Sequence, residues 1–237
     1  KMKKAFKLAF ATVISSQIYQ PDPIWLFLVG PPASGKTLII TTLANSSKCY
    51  FQSSVSPTSL ISGFSTRRGA DPSIVKKADK KCLVIKDFTE ILSKQSHIKS
   101  EIFGILRGAF DGTAIRDFGN GITRKISCKF SLVAAVTNEI YAHQMTNLGE
   151  RFLKFNMSDN KVDYEKQTKM AMLASLEGTE KKQKLNELVT NFLNKDFDFR
   201  FDKIQSMIPN WYLDRIIALS LYVGALRTTV TKHVYGQ

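Results

Sequence analysis

Residues 24–37 read Ile24-Trp25-Leu26-Phe27-Leu28-Val29-Gly30-Pro31-Pro32-Ala33-Ser34-Gly35-Lys36-Thr37. The six apolar residues at the start predict a strand buried on both faces, as in a parallel sheet covered by helices. The glycines at positions 30 and 35 allow backbone N–H groups to turn inward around an anion, where a Cβ would obstruct the approach. Helical spacing follows over about residues 36–43, and the N-terminus of that helix adds its positive dipole end. The stretch therefore predicts a phosphate-binding loop between a strand and a helix.

The residue types of this loop indicate a nucleoside triphosphate, and we expect Mg-ATP. Lys36 is expected to reach the β and γ phosphates, and the Thr37 hydroxyl to join the shell of the magnesium ion. Asp87 follows Leu83-Val84-Ile85-Lys86, where Lys86 interrupts the apolar run, and is the predicted carboxylate ligand of the metal. The alternative is an ordinary Asp at the end of a strand. The remaining predicted nucleotide contacts are Gly30, Pro31, Ala33, Ser34, Gly35 and Leu38.

Strand and helix patterns alternate up to residue 157, which predicts an α/β fold with a parallel sheet. Strand patterns cover residues 49–54, 82–85, 130–136 and 152–155, and a helical pattern covers residues 98–110. Beyond residue 158 no strand pattern occurs, and helical patterns cover residues 164–176, 183–193 and 211–227. We therefore predict a nucleotide-binding domain at residues 1–157 and a small all-helical domain at residues 158–237.

The charge balance favours a polyanionic partner. Among the 237 residues, 34 are Lys or Arg and 20 are Asp or Glu, which gives a formal net charge of +14. Each phosphate that a basic side chain neutralises releases condensed counterions, so this excess favours nucleic acid. The alternative is a basic, solvated surface that has no specific partner.

Other features bear on the location of the protein. The three cysteines are widely spaced and odd in number, which indicates a reducing cytoplasmic compartment, and no histidine lies at metal-ligand spacing from them. The basic N-terminus predicts an amphipathic helix rather than a leader peptide, because apolar residues fall on one helical face at Phe6, Phe10, Val13 and Ile14. The apolar run at residues 216–226 is too short to span a bilayer, so no membrane association is expected. Because the first residue is Lys, we expect the sequence to be a piece of a longer protein.

With the phosphate loop and Asp87 in place, the order of the later features resembles the AAA+ ATPases. The chain is most similar to the branch that carries a β-hairpin before the sensor strand, which includes the minichromosome-maintenance helicases and helicase-like proteins of phages and mobile elements. The resemblance covers nearly the whole chain. It implies a three-layer αβα AAA+ domain followed by a helical lid, and a homo-oligomeric ring that is expected to be a hexamer.

The resemblance also implies catalytic roles for two residues. Residues 132–138 match the sensor-1 strand, so Asn138 would position the attacking water; the alternative is an Asn that caps the next helix. Residues 148–152 match the place of an arginine finger, so Arg151 would reach the γ-phosphate held by a neighbouring subunit. The alternative for Arg151 is a local ion pair with Glu150 or Asp159.

A third role falls in the C-terminal helices, which resemble the lid of the family. The segment Pro209-Asn210-Trp211 and the helix after it resemble the sensor-2 region, which makes Arg215 a candidate phosphate contact. Arg227 is a weaker candidate for the same role. The alternative is that either arginine is a surface charge.

One position departs from the family pattern. AAA+ enzymes place a catalytic Glu directly after the metal-binding Asp, and this chain has Phe88 there. Glu90 is the candidate for that role, and Glu139 is another possibility. Without a base, hydrolysis would be slow.

Residues 111–125 occupy the position of the hairpin that faces nucleic acid in ring-shaped relatives. Its basic residues Arg116, Arg124 and Lys125 are candidates for phosphate contacts, which are independent of sequence. Arg67 and Arg68 are a second candidate group, beside Phe64, which could stack on a base. The alternative for the hairpin is a solvated basic surface.

Two hypotheses follow for the function. The first is an oligomeric, ATP-driven translocase or helicase of a phage or mobile element, with DNA as the expected partner. The second is a nucleotide-gated scaffold or regulatory ATPase with little turnover.

Overall fold

The computed structural model describes residues 2–18, 22–64, 70–142, 151–157, 178–196 and 209–232. The strands are β1 Trp25–Val29, β2 Cys49–Gln52, β3 Cys82–Ile85, β4 Thr113–Asp117, β5 Thr123–Ser127, β6 Ser131–Val136 and β7 Phe152–Asn156. The α-helices are α1 Met2–Ser15, α2 Lys36–Leu43, α3 Pro57–Leu60, α4 Ile74–Lys77, α5 Thr89–Leu92, α6 Ser96–Phe110, α7 Gly178–Leu193 and α8 Asn210–Lys232. A 3₁₀ helix covers Asn138–Tyr141.

Five of the strands form one parallel sheet in the order β2-β3-β6-β1-β7. The strands β1, β3 and β6 are buried along their whole length, as their uninterrupted apolar runs predict. Strand β6 lies between β1 and β3, and the registers Val29↔Val136 and Ile85↔Ala134 align their carboxyl ends. The phosphate loop, Asp87 and Asn138 therefore lie at the same edge of the sheet.

Helices cover both faces of this sheet. On one face, alternate residues of β1 and β6 pack in a core with Ala9 of α1, Ile40 of α2 and Val189 of α7. On the other face, the intervening residues pack with the short helices α3, α4 and α5 and with α6, which contributes Ile102 and Leu106. The structure thus confirms an α/β fold with a parallel sheet flanked by helices.

Most predicted elements are confirmed, with differences at their ends. The second strand stops at Gln52 rather than at residue 54, and α6 begins two residues before the predicted start. After β6 the described chain continues in the 3₁₀ turn Asn138–Tyr141. The helix expected at residues 164–176 lies outside the described residues.

Strands β4 and β5 form a separate antiparallel hairpin with the register Ala114↔Ile126 and Arg116↔Arg124. Gly112 and Gly121 adopt φ angles of 93° and 79°, in the left-handed region that glycine tolerates at turns. Ala114 and Ile126 are buried, and β4 packs on α6. The hairpin thus packs against α6, the helix that precedes it.

The chain divides into two compact units, residues 1–195 and residues 196–237. Helix α7 lies beyond the sequence-based boundary at residue 157 but belongs to the first unit, because Val189 and Leu193 are buried in the core around α1 and α2. Helix α8 is the described helix of the second unit. No helix in the described part of the chain combines the length and apolarity that are needed to cross a membrane.

Candidate nucleotide-binding site

The phosphate loop connects β1 to α2 in a curled conformation. The backbone N–H of Gly30 donates to the carbonyl of Val136 over 3.2 Å, which fixes the start of the loop to the central strand. A Cβ added to Gly30 would lie 3.0 Å from Oγ of Ser34 and 3.3 Å from Cβ of Met157, so a side chain there would require these neighbours to shift. Ala33 and Gly35 have φ angles of 62° and 86°, which turn successive peptide groups into the loop.

Lys36, the first residue of α2, directs its ammonium group into this loop. Its Nζ donates to the carbonyls of Gly30 and Pro31, each over 2.6 Å, and to Oγ of Ser34 over 3.1 Å. Its side chain is buried, and burial lowers the pKa of Lys36, while the negative charge of Asp87 partly opposes this shift. A cation at a helix N-terminus is also opposed by the helix dipole. An anion bound in the loop would offset both the burial and the helix dipole, because its negative charge would stabilise the ammonium form of Lys36.

The other predicted residues of the loop differ in exposure. Ala33 and Thr37 are exposed, whereas Pro31, Ser34 and Leu38 are partly buried. The Thr37 side chain is thus accessible to solvent, as that of a metal ligand would have to be. The geometry of the backbone and the position of the ammonium group both fit a bound polyphosphate.

Asp87 lies at the carboxyl end of β3, separated from the loop by β6. Its side chain is exposed, and its Oδ1 accepts a hydrogen bond from the N–H of Thr89 over 2.9 Å. Thr89 in turn accepts from the N–H of Thr137 over 3.0 Å, which ties the end of β3 to the end of β6. Because the N–H of Thr89 engages Oδ1, Oδ2 of Asp87 can act as a metal ligand at the end of the sheet that also carries Thr37.

Asn138 begins the 3₁₀ helix immediately after this link and is exposed. The fixed end of β6 therefore places Asn138 between the strand that leads to the loop and the strand that leads to Asp87. Glu139, the alternative base, is exposed in the same turn.

Phe88 is a core residue. Its side chain is fully buried, with ring centroids 4.7 Å from Phe27, 6.0 Å from Phe152 and 6.3 Å from Phe103. The backbone N–H of Phe88 also donates to the carbonyl of Ala135 over 2.8 Å. The position after Asp87 thus points away from the edge that carries the loop. The missing carboxylate is explained by packing, because an acidic side chain in that cluster would be buried without a partner.

Glu90, the candidate base, lies two residues beyond Phe88, in α5. Its Oε1 accepts hydrogen bonds from Oγ of Ser54 over 2.7 Å and from Nζ of Lys94 over 3.0 Å. The hydrogen bond from Ser54, followed by that from Lys94, holds the pKa of Glu90 below its usual range. Glu90 is therefore an ionised carboxylate held in one orientation at the carboxyl edge, beyond the end of β2.

Arg151 lies at the end of the sheet where the strands β1 and β7 begin, opposite the end that carries the phosphate loop. Phe152 pairs with Trp25 at the start of β1, so the full length of β1, about 15 Å, separates Arg151 from the phosphate loop of its own chain. Its guanidinium binds Asp111, and it also lies 5.4 Å from the ring centre of Phe110. Asp111 is thus a described partner of Arg151, whereas Glu150 and Asp159, the partners that the sequence suggested for a local ion pair, lie outside the described residues.

The hairpin arginines face the domain. Arg116 donates to Glu101 over 2.8 Å and to the carbonyl of Ile61 over 3.0 Å. Arg124 donates to Asp71 over 2.7 Å and to the carbonyl of Ser62. Both arginines share a face with the buried Ala114 and Ile126, and the two-residue alternation of the strands was the signal that could have revealed this.

Lys125 is the basic hairpin residue on the outward face, where it pairs in register with the exposed Ile115. Phe64, the candidate for stacking on a base, is 83% exposed. Arg67 and Arg68 lie outside the described residues. In the second unit, the guanidinium of Arg215 lies 5.3 Å from the ring centre of Trp211. Arg227, the weaker candidate for the same phosphate contact, lies in the part of α8 for which only the backbone is described.

No protein-family model matches the chain, and a search of curated proteins finds no match. The class that the fold and the loop define is an α/β protein with a five-stranded parallel sheet. Any more specific assignment rests on the residues of the site.

Proposed function

We propose that this chain is an AAA+ type ATPase subunit that binds Mg-ATP, forms a homo-oligomeric ring and acts on nucleic acid as a translocase or helicase. The observation that carries the proposal is the enclosed ammonium of Lys36. It is buried among the carbonyls of Gly30 and Pro31 at the start of a helix, with Asp87 near enough to raise its pKa. A bound polyphosphate would give this ammonium group an anionic partner inside the loop, in place of the neutral carbonyls.

The groups at the carboxyl edge support hydrolysis. Lys36 and the loop amides would hold the phosphates, and Asn138 would orient a water molecule for attack. Magnesium held by Thr37 and Asp87 would neutralise charge that develops on the phosphates. Glu90 is the carboxylate proposed to accept the proton of that water, because it is ionised and held in one orientation by Ser54 and Lys94.

The position of Arg151 supports assembly. Since a whole strand length separates Arg151 from its own loop, any contact with a γ-phosphate must be made across a subunit interface. A closed ring supplies such an interface to every subunit, and we propose a hexamer. Arg215 remains a predicted phosphate contact of the lid.

The charge of the chain supports a nucleic-acid partner, with DNA as the first candidate. The net charge of +14 favours a polyanion, and the outward face of the hairpin presents Lys125 beside the exposed Ile115. Contacts of this kind hold the backbone without reading its sequence, which suits a motor that must release at every step.

The second candidate function is a nucleotide-gated scaffold or regulator with little turnover. Two observations favour it. Phe88 is packed in the core where the family has its catalytic Glu, and the carboxylate of Glu90 already has two partners. Nucleotide binding would then drive assembly, and hydrolysis would be incidental.

Steady-state ATPase rates with and without single-stranded and double-stranded DNA test the two candidates. The motor predicts hydrolysis that DNA stimulates, that Lys36→Ala abolishes and that Glu90→Gln strongly reduces. The scaffold predicts ATP-dependent assembly, measured by light scattering, with a low rate that neither DNA nor Glu90→Gln changes. Hydrolysis that no nucleic acid affects would exclude the motor, and failure of the wild-type chain to bind ATP would exclude both.

A further inference from the structure

The hairpin is joined to the rest of the domain through the two arginines that the sequence assigns to nucleic acid. Arg124 contacts the chain at two points, the carbonyl of Ser62 and the carboxylate of Asp71. Arg116 contacts the neighbouring carbonyl of Ile61 and the carboxylate of Glu101 on α6. The hairpin is thus attached to the loop before α4 and to α6 at the same time.

Apolar packing adds to this attachment. The ring of Phe118, at the end of β4, lies against Gly63, where a Cβ would come within 3.1 Å of the ring. The guanidinium of Arg116 lies 4.7 Å from the centre of the same ring. A side chain at position 63 would displace Phe118, so the glycine allows the close approach of loop and hairpin.

Hydrogen bonds also hold Asp71 and Ser62, the two residues that Arg124 contacts. Asp71 Oδ1 accepts from the N–H of Ser73 over 2.9 Å, and Oγ of Ser73 accepts from the N–H of Ser62 over 2.9 Å. Partial burial pushes the pKa of Asp71 upward, but the hydrogen bonds from Ser73 and the charge of Arg124 together outweigh it, and the pKa is lowered. Asp71 is therefore ionised and holds Arg124 through its second oxygen.

The burial of these groups argues against their release to a phosphate. The side chains of Arg116, Arg124 and Asp71 are 12%, 23% and 20% exposed. If Arg124 turned outward to bind nucleic acid, Asp71 and the carbonyl of Ser62 would lose their donor at a largely buried place. Lys125, on the outward face, can meet a phosphate without breaking such contacts.

We propose that Arg124 and Asp71 are positioning residues that set the height and tilt of the hairpin, so that its outward face, with Lys125, meets the nucleic-acid backbone. This inference rests on the proposed function, since it assigns a role within the nucleic-acid contact. It replaces the direct phosphate contacts predicted for Arg116 and Arg124 with an ion pair that orients the hairpin. The ligand remains a nucleic-acid backbone.

The variant Asp71→Asn separates positioning from simple charge. Its Oδ1 can still accept from Ser73, but its amide nitrogen cannot accept from Arg124. Removal of one negative charge from a chain of net charge +14 should strengthen binding to any polyanion. Positioning predicts the opposite sign, a loss of about fivefold, the size expected for one partly buried ion pair.

The measurement is fluorescence anisotropy with a labelled 20-nucleotide oligo(dT), in the presence of a non-hydrolysable ATP analogue and at fixed salt. Glu187→Gln, at an exposed position of α7, is the control that makes the same change of charge away from the hairpin. Weaker binding by Asp71→Asn together with unchanged or stronger binding by the control supports the inference. Binding by Asp71→Asn that equals the control overturns it.

A thermal double-mutant cycle tests the ion pair without any ligand. The variants Asp71→Asn and Arg124→Gln and their combination should give non-additive losses in unfolding temperature, because each single change already breaks the pair. Additive losses would overturn the link between hairpin and loop. A wild-type chain that binds neither DNA nor RNA would remove both the motor and the positioning role, and the cycle distinguishes that result from failure of the ion pair itself.

Discussion

Arg151 binds Asp111 through one guanidinium nitrogen, which lies 3.2 and 3.1 Å from the two carboxylate oxygens. Asp111 follows α6 directly and precedes Gly112 and the first strand of the hairpin. The arginine proposed to act on a neighbouring subunit is thus held at the base of the element proposed to contact nucleic acid. A shift of the hairpin base would change the position of Arg151, which gives a physical route between the two sites.

We predict that Arg151→Ala lowers the turnover of the assembled protein by about a thousandfold, the lower end of the range for an arginine finger. Nucleotide affinity should change little, because Arg151 lies away from its own loop. A mixture of Arg151→Ala and Lys36→Ala subunits tests action between subunits. Each variant alone should be inactive, and mixing should restore part of the rate, since an intact loop then faces an intact arginine.

Asp111→Asn is the control for that experiment. The pair is largely exposed on the Asp111 side, where 57% of the side chain is accessible, so its loss should change the free energy of unfolding by less than about 1 kcal/mol. A change in turnover by this variant would then report the position of Arg151 rather than the stability of the fold. Full activity of Arg151→Ala, or no recovery on mixing, would contradict action between subunits.

Phe88→Glu should not create a catalytic base. The side chain is fully buried against Phe27, Phe103 and Phe152, so a carboxylate there would be desolvated and would disrupt the packing. We expect Phe88→Ala to lower the free energy of unfolding by about 3–5 kcal/mol and Phe88→Glu by at least as much. Urea denaturation measures both, with Phe88→Leu as the milder control. Stable, faster hydrolysis by Phe88→Glu would show that this side chain can reach the site.

The sequence predicts the parts of the fold that depend on consecutive residues. The buried strands and the phosphate loop each lie within a short segment, so local pattern is enough to identify them. The contacts of the site depend on the tertiary structure instead. Ser54 and Glu90 are 36 residues apart, Asp111 and Arg151 are 40 apart, and Asp71 and Arg124 are 53 apart. Such pairs follow from strand order, and alternation of strands and helices alone does not place β6 between β1 and β3.

Glu90→Gln should lower the turnover number while leaving the dissociation constant for ATP unchanged, because the amide keeps the size of the carboxylate but cannot accept a proton. Ser54→Ala tests the environment of the same group. Ser54 holds the pKa of Glu90 down, so its removal should raise that pKa. Because the base must be ionised, the acid limb of the pH–rate profile should then move to higher pH. An identical profile for wild type and Ser54→Ala would exclude Glu90 as the group that titrates.

As the pH rises, the affinity for ATP should begin to weaken at a lower pH than it would if Lys36 had the pKa of an exposed lysine. Burial lowers the pKa of Lys36, and Asp87 only partly restores it, so the ammonium of the free protein loses its proton below the usual 10.5. Phosphates favour the charged form, so binding is strongest below this lowered pKa and declines as the pH rises through it. As the pH approaches that value, binding should also take up protons. Titration calorimetry with a non-hydrolysable analogue at pH 7–10 measures both effects.

Lys36→Arg is the matched variant for this prediction. Arginine stays charged throughout that range, because its pKa lies above about 12. The guanidinium group is planar and larger than an ammonium group, so it cannot make the same contacts with the carbonyls of Gly30 and Pro31. We therefore expect weaker binding at pH 7 but an affinity that no longer depends on pH. If the wild type is as insensitive to pH as Lys36→Arg, the enclosed ammonium is not the group that recognises the phosphates, and the observation on which the proposed function rests loses its force.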